Sequence, residues 1–297
     1  MSNFADRLME AVEHTGAPLC VGIDPFAELI PKAIFGDPRE DAVALARFAE
    51  AVIDQAAGLA AAIKPQLGLF EAFGPAGYGV ARDVCAYARS QGLPVILDAK
   101  RGDIGTTAEG YVRASLGPSP GFDADCVTVN PYMGADTLAP FGAYAQAQGK
   151  GVAVLVRTSN PGARDLQDLI VDGEPLWART ARMIAPLVEG LKGASGWSGL
   201  MVVAGATYPD EARRLRAILP DCLFLVPGYG AQGAGAADAM AGFVASPRGL
   251  RGGVVNSSRG VCYPPGLENE TRISVWKDQI QRAMQSARDD LAGASLS

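Results

Sequence analysis

The chain is poor in histidine, in cysteine and in concentrated charge. Its 297 residues hold one histidine, His14, and five scattered cysteines, Cys20, Cys85, Cys126, Cys222 and Cys262. A lone imidazole without paired cysteines gives no zinc-ligand pattern, so no metal site is expected. Histidine acid–base catalysis would also lack partners, and His14, late in an N-terminal helical segment, reads as a surface or capping residue. The cysteines lie mostly in or beside apolar runs, which points to reduced core thiols and a cytoplasmic protein. No apolar run approaches the roughly 18 residues of a membrane span, and Met1 to Glu10 lacks the basic and apolar parts of a signal peptide. Net charge is −6 with no basic block, which argues against nucleic acid or an anionic membrane as partner. No low-complexity linker divides the sequence, and residues 1–297 read as a single domain.

What the chain does have is core material, with 48% hydrophobic residues, arranged in a recurring unit. A short apolar strand is followed by a polar or glycine-rich turn and an amphipathic helix. Strands are expected at 18–24, 61–66, 94–100, 126–131, 151–157, 199–205, 222–228 and 252–258. Asp37-Pro38-Arg39-Glu40 reads as an N-cap and first turn, with Leu45, Phe48 and Val52 following at helical steps. Residues 3–14 form a further helix before the first strand, and Ile273, Trp276, Ile280 and Met284 mark a closing one. Gly74-Pro75-Ala76-Gly77 reads as a turn in front of the third helix, and 158–198 as an insertion holding more than one helix, one starting near Glu174-Pro175-Leu176-Trp177. Eight strand–helix units predict an α/β fold, a (β/α)8 TIM barrel with an extra N-terminal helix and a longer insertion after strand five. An open doubly wound sheet is the alternative.

Leu97-Asp98-Ala99-Lys100-Arg101-Gly102-Asp103 closes the third strand. Side chains two apart on a strand share a face, so Asp98 and Lys100 should project together, with Asp103 just beyond. Charges at the mouth of an apolar element are costly unless they pair or act on a ligand. A purely structural ion pair is the plain alternative. Barrels gather their active sites at the carboxyl ends of the strands. Those ends carry Asp24, Lys64, Thr128, Asn130, Thr158-Ser159-Asn160, Gly205, Gly228-Tyr229-Gly230 and Asn256-Ser257-Ser258-Arg259. Gly228-Tyr229-Gly230-Ala231-Gln232-Gly233 matches G-x-G-x-x-G, but the acid expected about 20 residues on for a dinucleotide ribose is missing. A phosphate cradle is the better reading, with amides around Gly230 and Gly260 and the guanidinium of Arg259.

Asp98, Lys100 and Asp103, followed by Ile104 and Thr107, resemble the signature of the orotidine 5′-phosphate decarboxylase family. Gly22-Ile23-Asp24, Ile63-Lys64-Pro65, Ser159-Asn160-Pro161-Gly162, Pro227 to Gly233 and Arg259-Gly260 agree with it. The length and the two long connections suit a longer branch of that family. The resemblance implies decarboxylation of orotidine 5′-monophosphate to uridine 5′-monophosphate in pyrimidine synthesis, by a homodimer without metal or organic cofactor. It implies that Asp24 and Lys64 hold ribose hydroxyls, Ser159 the pyrimidine amide edge, and Gln232 and Arg259 the phosphate. Asp103 and Thr107 would reach the partner's site. Lys100, flanked by acids, is expected to stay an ammonium that stabilises and protonates the carbanion left at C6. A magnesium-dependent sugar-phosphate decarboxylase or aldolase of the same barrel type is a rival, disfavoured because Lys64 stands where a metal-ligating acid is needed. A catalytically inactive nucleotide-binding barrel would not require both Lys64 and Lys100.

Overall fold

The computed structural model describes residues 3–230, 233–247 and 249–296. Eight parallel strands form its sheet: β1 (Leu19–Ile23), β2 (Ala62–Pro65), β3 (Ile96–Arg101), β4 (Cys126–Val129), β5 (Gly151–Arg157), β6 (Ser198–Ala204), β7 (Cys222–Val226) and β8 (Gly253–Ser257). Their spatial order is β2-β1-β8-β7-β6-β5-β4-β3. Parallel bridges from Ile63 to Val95 and from Gln66 to Asp98 then join the two outer strands. The sheet therefore curls into a barrel, as the eight-unit count predicts, and the open-sheet alternative falls. Each strand lies within a few residues of its expected position.

Strand periodicity sorts the side chains into two cores. Val21, Ile63, Leu97, Val127, Val154 and Val202 face outward and pack under helices. Cys20, Ala62, Ile96, Cys126, Ala153, Met201, Leu223 and Val254 fill the interior. The first helix, α1 (Phe4–Thr15), belongs to this inner core rather than to the outer ring. Phe4, Leu8 and Val12 recur every fourth residue and lie against the barrel's amino end, so α1 stops that end like a plug. Asn3 caps it by accepting the Ala5 amide at 2.7 Å. Gly16 ends it with φ +73°, a conformation that costs glycine little. Leu8 is fully buried there; its truncation to Ala should cost about 2–5 kcal/mol.

Two expected helix boundaries need correction. Helix α2 (Ala42–Ala56) starts after Asp41, whose carboxylate accepts the Val43 amide at 2.8 Å. Asp37 instead bonds the Arg39 amide in a preceding turn and pairs with Lys32. Gly74-Pro75-Ala76-Gly77 is not a turn before the third helix but the first turn of α3 (Gly74–Ser90), since proline suits a position whose amide has no helical partner. The 158–198 connection holds short turns, a hairpin pairing Ile170–Val171 with Glu174–Pro175, and α4 (Leu176–Ile184). The closing helix, α5, runs over Ile273–Leu296. Among the described residues no helix is long and apolar enough to cross a membrane.

Candidate active site

Two residues beyond the inner-core positions, toward the carboxyl ends of the strands, the same faces carry Gly22, Lys64, Asp98, Thr128, Leu155, Val203, Leu225 and Asn256. All but Gly22 line a cavity of about 490 Å³ that also takes in Asp24, Gln66, Lys100, Thr158, Ser159, Asn160, Tyr229, Ser258 and Arg259. The glycine is required there. A Cβ at Gly22 would collide with the Ser258 side chain and approach Asn256 Oδ1 to 3.1 Å.

Asp98 is the hub of the charged half. Lys64 Nζ donates to its Oδ2 at 2.8 Å, while Lys100 Nζ donates to Oδ1 at 2.6 Å. The Thr128 hydroxyl donates to the same Oδ1 at 2.9 Å and accepts the Lys100 amide at 2.9 Å. Burial alone would raise the Asp98 carboxyl, but the ammoniums of Lys64 and Lys100 outweigh it and hold the group well below the usual carboxylate range. For Lys64 burial pulls downward, and the negative charges of Asp98 and Asp24 prevail, raising it. Beneath them the buried Cys20 thiol is pushed up to about 12 by burial.

The strand is irregular at this point. The register of β3 against β4 shifts between Leu97 and Arg101, and Lys100 has φ +48°, a left-handed conformation that side chains other than glycine adopt at a cost. The bulge lets Asp98 and Lys100 meet while the Lys100 amide reaches Thr128. Backbone strain of this kind gathers at functional sites.

The structure brings Asp24, Lys64, Asp98, Lys100, Ser159 and Arg259 to one cavity. It does not bring Asp103, Ile104, Thr107, Gly230 or Gly260 to its walls. Asp103 accepts the Ile104 amide at 2.8 Å, while Lys100 pairs with Asp98 and not with Asp103, so the expected flanking of Lys100 by two acids of its own chain is not formed. Ile104 is 60% exposed, and Thr107 lines a separate hollow with Tyr78, Tyr111 and Phe122. The amide of Gly230 donates to the Ala234 carbonyl at 3.0 Å, inside its own turn, instead of facing an anion. Gln232 lies outside the described residues.

Thr128, Gln66, Tyr229 and Asn256 enter the site without an assigned role in the sequence reading. The two-residue period of β4 and β8 could have singled out Thr128 and Asn256, each two beyond an inner-core residue. Tyr229 is tied by its hydroxyl to Asp290 on α5 at 2.6 Å. Among the described residues, Asp24 Oδ1 and Asn256 Oδ1 are buried on residues lining the cavity and have no hydrogen-bond partner. Unpaired buried acceptors are uncommon in folded proteins and need an explanation such as a ligand. Among the described residues no three histidine, cysteine, aspartate or glutamate side chains gather to hold a metal ion.

Comparison with known proteins follows the same lines. The sequence model of the orotidine 5′-phosphate decarboxylase / HUMPS family matches residues 17–263. A relative from Rhodopirellula baltica, named orotidine 5′-phosphate decarboxylase, is 39% identical across 99% of this chain and 100% of its own length. One of the same name from Deinococcus radiodurans is 40% identical across 98% and 97%. Among solved structures, the OMP decarboxylase of Leishmania donovani superposes with a TM-score of 0.78 at 30% identity, covering 100% of both chains. With its barrel, its Lys64–Asp98–Lys100 array and full-length likeness to these relatives, the chain belongs to the orotidine 5′-phosphate decarboxylase / HUMPS family.

Proposed function

We propose that this chain is a carboxy-lyase that converts orotidine 5′-monophosphate to uridine 5′-monophosphate, with Lys100 as the proton donor. The observation that carries the reading is the run of Lys64, Asp98 and Lys100 in hydrogen-bond contact on the wall of a deep cavity. The bond from C6 of the pyrimidine to its carboxylate breaks, CO2 departs, and the electron pair stays on C6. That carbanion has no adjacent carbonyl to delocalise it, so a fixed positive group must stabilise it. The Lys100 ammonium supplies that charge and then its proton, which leaves a C6–H bond and a neutral amine.

Asp98 has two tasks in this reading. It fixes Lys100, and it crowds the substrate carboxylate. Two unit charges about 4 Å apart repel by roughly 4 kcal/mol at an effective dielectric of about 20. Enzymes lower barriers by about 8–23 kcal/mol, so repulsion is the smaller share, and Lys64 and Lys100 already neutralise part of the Asp98 charge. The larger share falls to the preorganised ammonium and to binding energy from sugar and phosphate. Arg259 at the end of β8 would hold the phosphate, Asp24 and Lys64 the ribose, and Ser159 on the far side of the cavity the pyrimidine amide edge.

A homodimer completes the proposal. Ile104, Tyr132 and Met133, on the loops after β3 and β4, are exposed by 60%, 79% and 44%, an apolar rim that a second copy would cover. Asp103 and Thr107, on the same rim, would serve the partner's cavity. Mixing Lys100→Ala with Asp103→Ala chains should then restore partial activity in hybrid dimers, and hybrids that form without rescue would overturn the sharing. The five buried free thiols suit a reducing cytoplasm. Incubation with orotidine 5′-monophosphate in excess chelator, followed by the loss of substrate ultraviolet absorbance, tests the activity. Absence of turnover, or turnover abolished by chelation, would refute it.

A further inference from the structure

The layer of side chains under the cavity divides by character. Leu155, Val203 and Leu225 on β5 to β7 are apolar, and Lys64, Asp98 and Thr128 on β2 to β4 satisfy one another. Asn256 on β8 belongs to neither group. It is 9% exposed, and its amide nitrogen donates to Ser258 Oγ at 3.1 Å. The residue lines the cavity, and its amide oxygen is buried with no hydrogen-bond partner among the described residues. Asp24 Oδ1, at the end of the adjacent β1, is buried and without a partner as well. Gly22, between them on β1, contributes no side chain that would fill the gap.

We infer that Asn256 is a specificity-determining residue that accepts a hydrogen bond from a ribose hydroxyl, in the cavity that Asp24 also lines. The inference rests on the substrate reading above and on the chemistry of a nucleoside monophosphate. At neutral pH such a ligand has few donors: the imide N–H of the base and the hydroxyls of the sugar. The base edge is assigned to Ser159 after β5, three strands round the barrel from β8. The phosphate is assigned to Arg259, three residues beyond Asn256 on the same strand end. The sugar bridges the two, so its hydroxyls are the donors within reach of β8 and β1. Two unsatisfied acceptors on the wall of one cavity equal in number the two O–H groups that a vicinal diol offers. A buried polar group built to bind a hydroxyl rejects the analogue that lacks it, because the group is then left unpaired.

The experiment compares Asn256→Ala with the parent, using uridine 5′-monophosphate and its 2′-deoxy and 3′-deoxy forms as calorimetric ligands. The parent should bind at least one deoxy form about 10- to 100-fold more weakly than the ribonucleotide. Asn256→Ala should lose a similar factor for the ribonucleotide while leaving that same deoxy form nearly unaffected, a non-additive cycle that a general structural defect would not produce. Equal losses for all three ligands, or no loss for any, would overturn the assignment. Should Asn256→Ala fail to melt cooperatively, Asn256→Ser, whose shorter side chain cannot span the same gap, should give the same non-additive pattern, and additivity there would overturn it equally. Binding requires no turnover, so failure of the decarboxylase reading would appear separately, as wild-type protein inert toward orotidine 5′-monophosphate.

Discussion

The two ends of the barrel both contain a large hollow and both are lined with charge, yet only one is built for a ligand. At the amino end a cavity of about 560 Å³ is bordered by Arg7, Glu10, His14, Arg89 and Asp125. Three of these side chains, Arg7, Arg89 and Asp125, are committed to the fold. Arg7 pairs with Asp125 at 2.7 Å, Asp125 also accepts the Val95 amide at 2.9 Å, and Arg89 binds the carbonyls of Phe122 and Asp123. At the carboxyl end the cavity is a little smaller, but it holds a strained lysine and two buried oxygens with nothing to bind. Volume does not separate the two ends. Unfinished polar chemistry does.

The comparison can be broken at four points. Lys100→Ala should lower turnover by at least about 10³-fold while leaving nucleotide monophosphate affinity within about tenfold, as measured by steady-state kinetics and calorimetry. Next in size is Asp98→Ala, which strips the buried Lys64 of its nearest countercharge. Chemical denaturation should show a loss of about 3–5 kcal/mol. Arg259→Ala should raise KM for the phosphorylated substrate by about 100-fold, with little change for the nucleoside that lacks phosphate; equal losses for both would remove Arg259 from the phosphate site. Arg7→Ala, at the other end, should cost only about 1 kcal/mol of stability and leave kcat within about twofold. A large kcat effect there would erase the distinction between the two ends.

Acid and base should sharpen the picture. Because the Asp98 carboxyl is lowered in the folded state, its contribution is complete above the unfolded value of about 3.9 and is lost as pH falls below it. Lys64 is raised, so its contribution is complete below about 10.4 and is lost as pH climbs beyond. The contribution of this pair to the parent's stability, followed by chemical denaturation across pH, should therefore stay flat from about pH 5 to 9 and fall in stronger acid. A slope near neutrality would mean that some other group governs the site.

The sequence made the barrel legible because each strand is a short apolar run closed by polar residues, and because the count of eight strands restricts the architecture. The meeting of Asp98 and Lys100 was legible from their spacing alone. The bulge that allows it was not, since a left-handed lysine has no signature in composition. Helix α2 begins later than Asp37-Pro38 suggests because Asp41 offers a competing cap, and local propensity cannot rank the two. Arg157 shows the limit most clearly. It reads as the end of β5, yet it is 1% exposed, lies 3.8 Å from the Tyr208 ring centre and pairs with Asp168 of the insertion at 2.8 Å. Its partners come from separate loops, and only the folded chain assembles them. Asn256 was visible as a strand-end residue, but an acceptor without a donor is a property of three-dimensional surroundings.

The left-handed main chain at Lys100 sets backbone ease against side-chain charge at a single position. Glycine would occupy that conformation without steric penalty, so relaxing the backbone and removing the ammonium are one and the same substitution. A glycine there would ease the main chain yet leave the buried Asp98 one ammonium short and, on the proposed reading, the reaction without its proton donor.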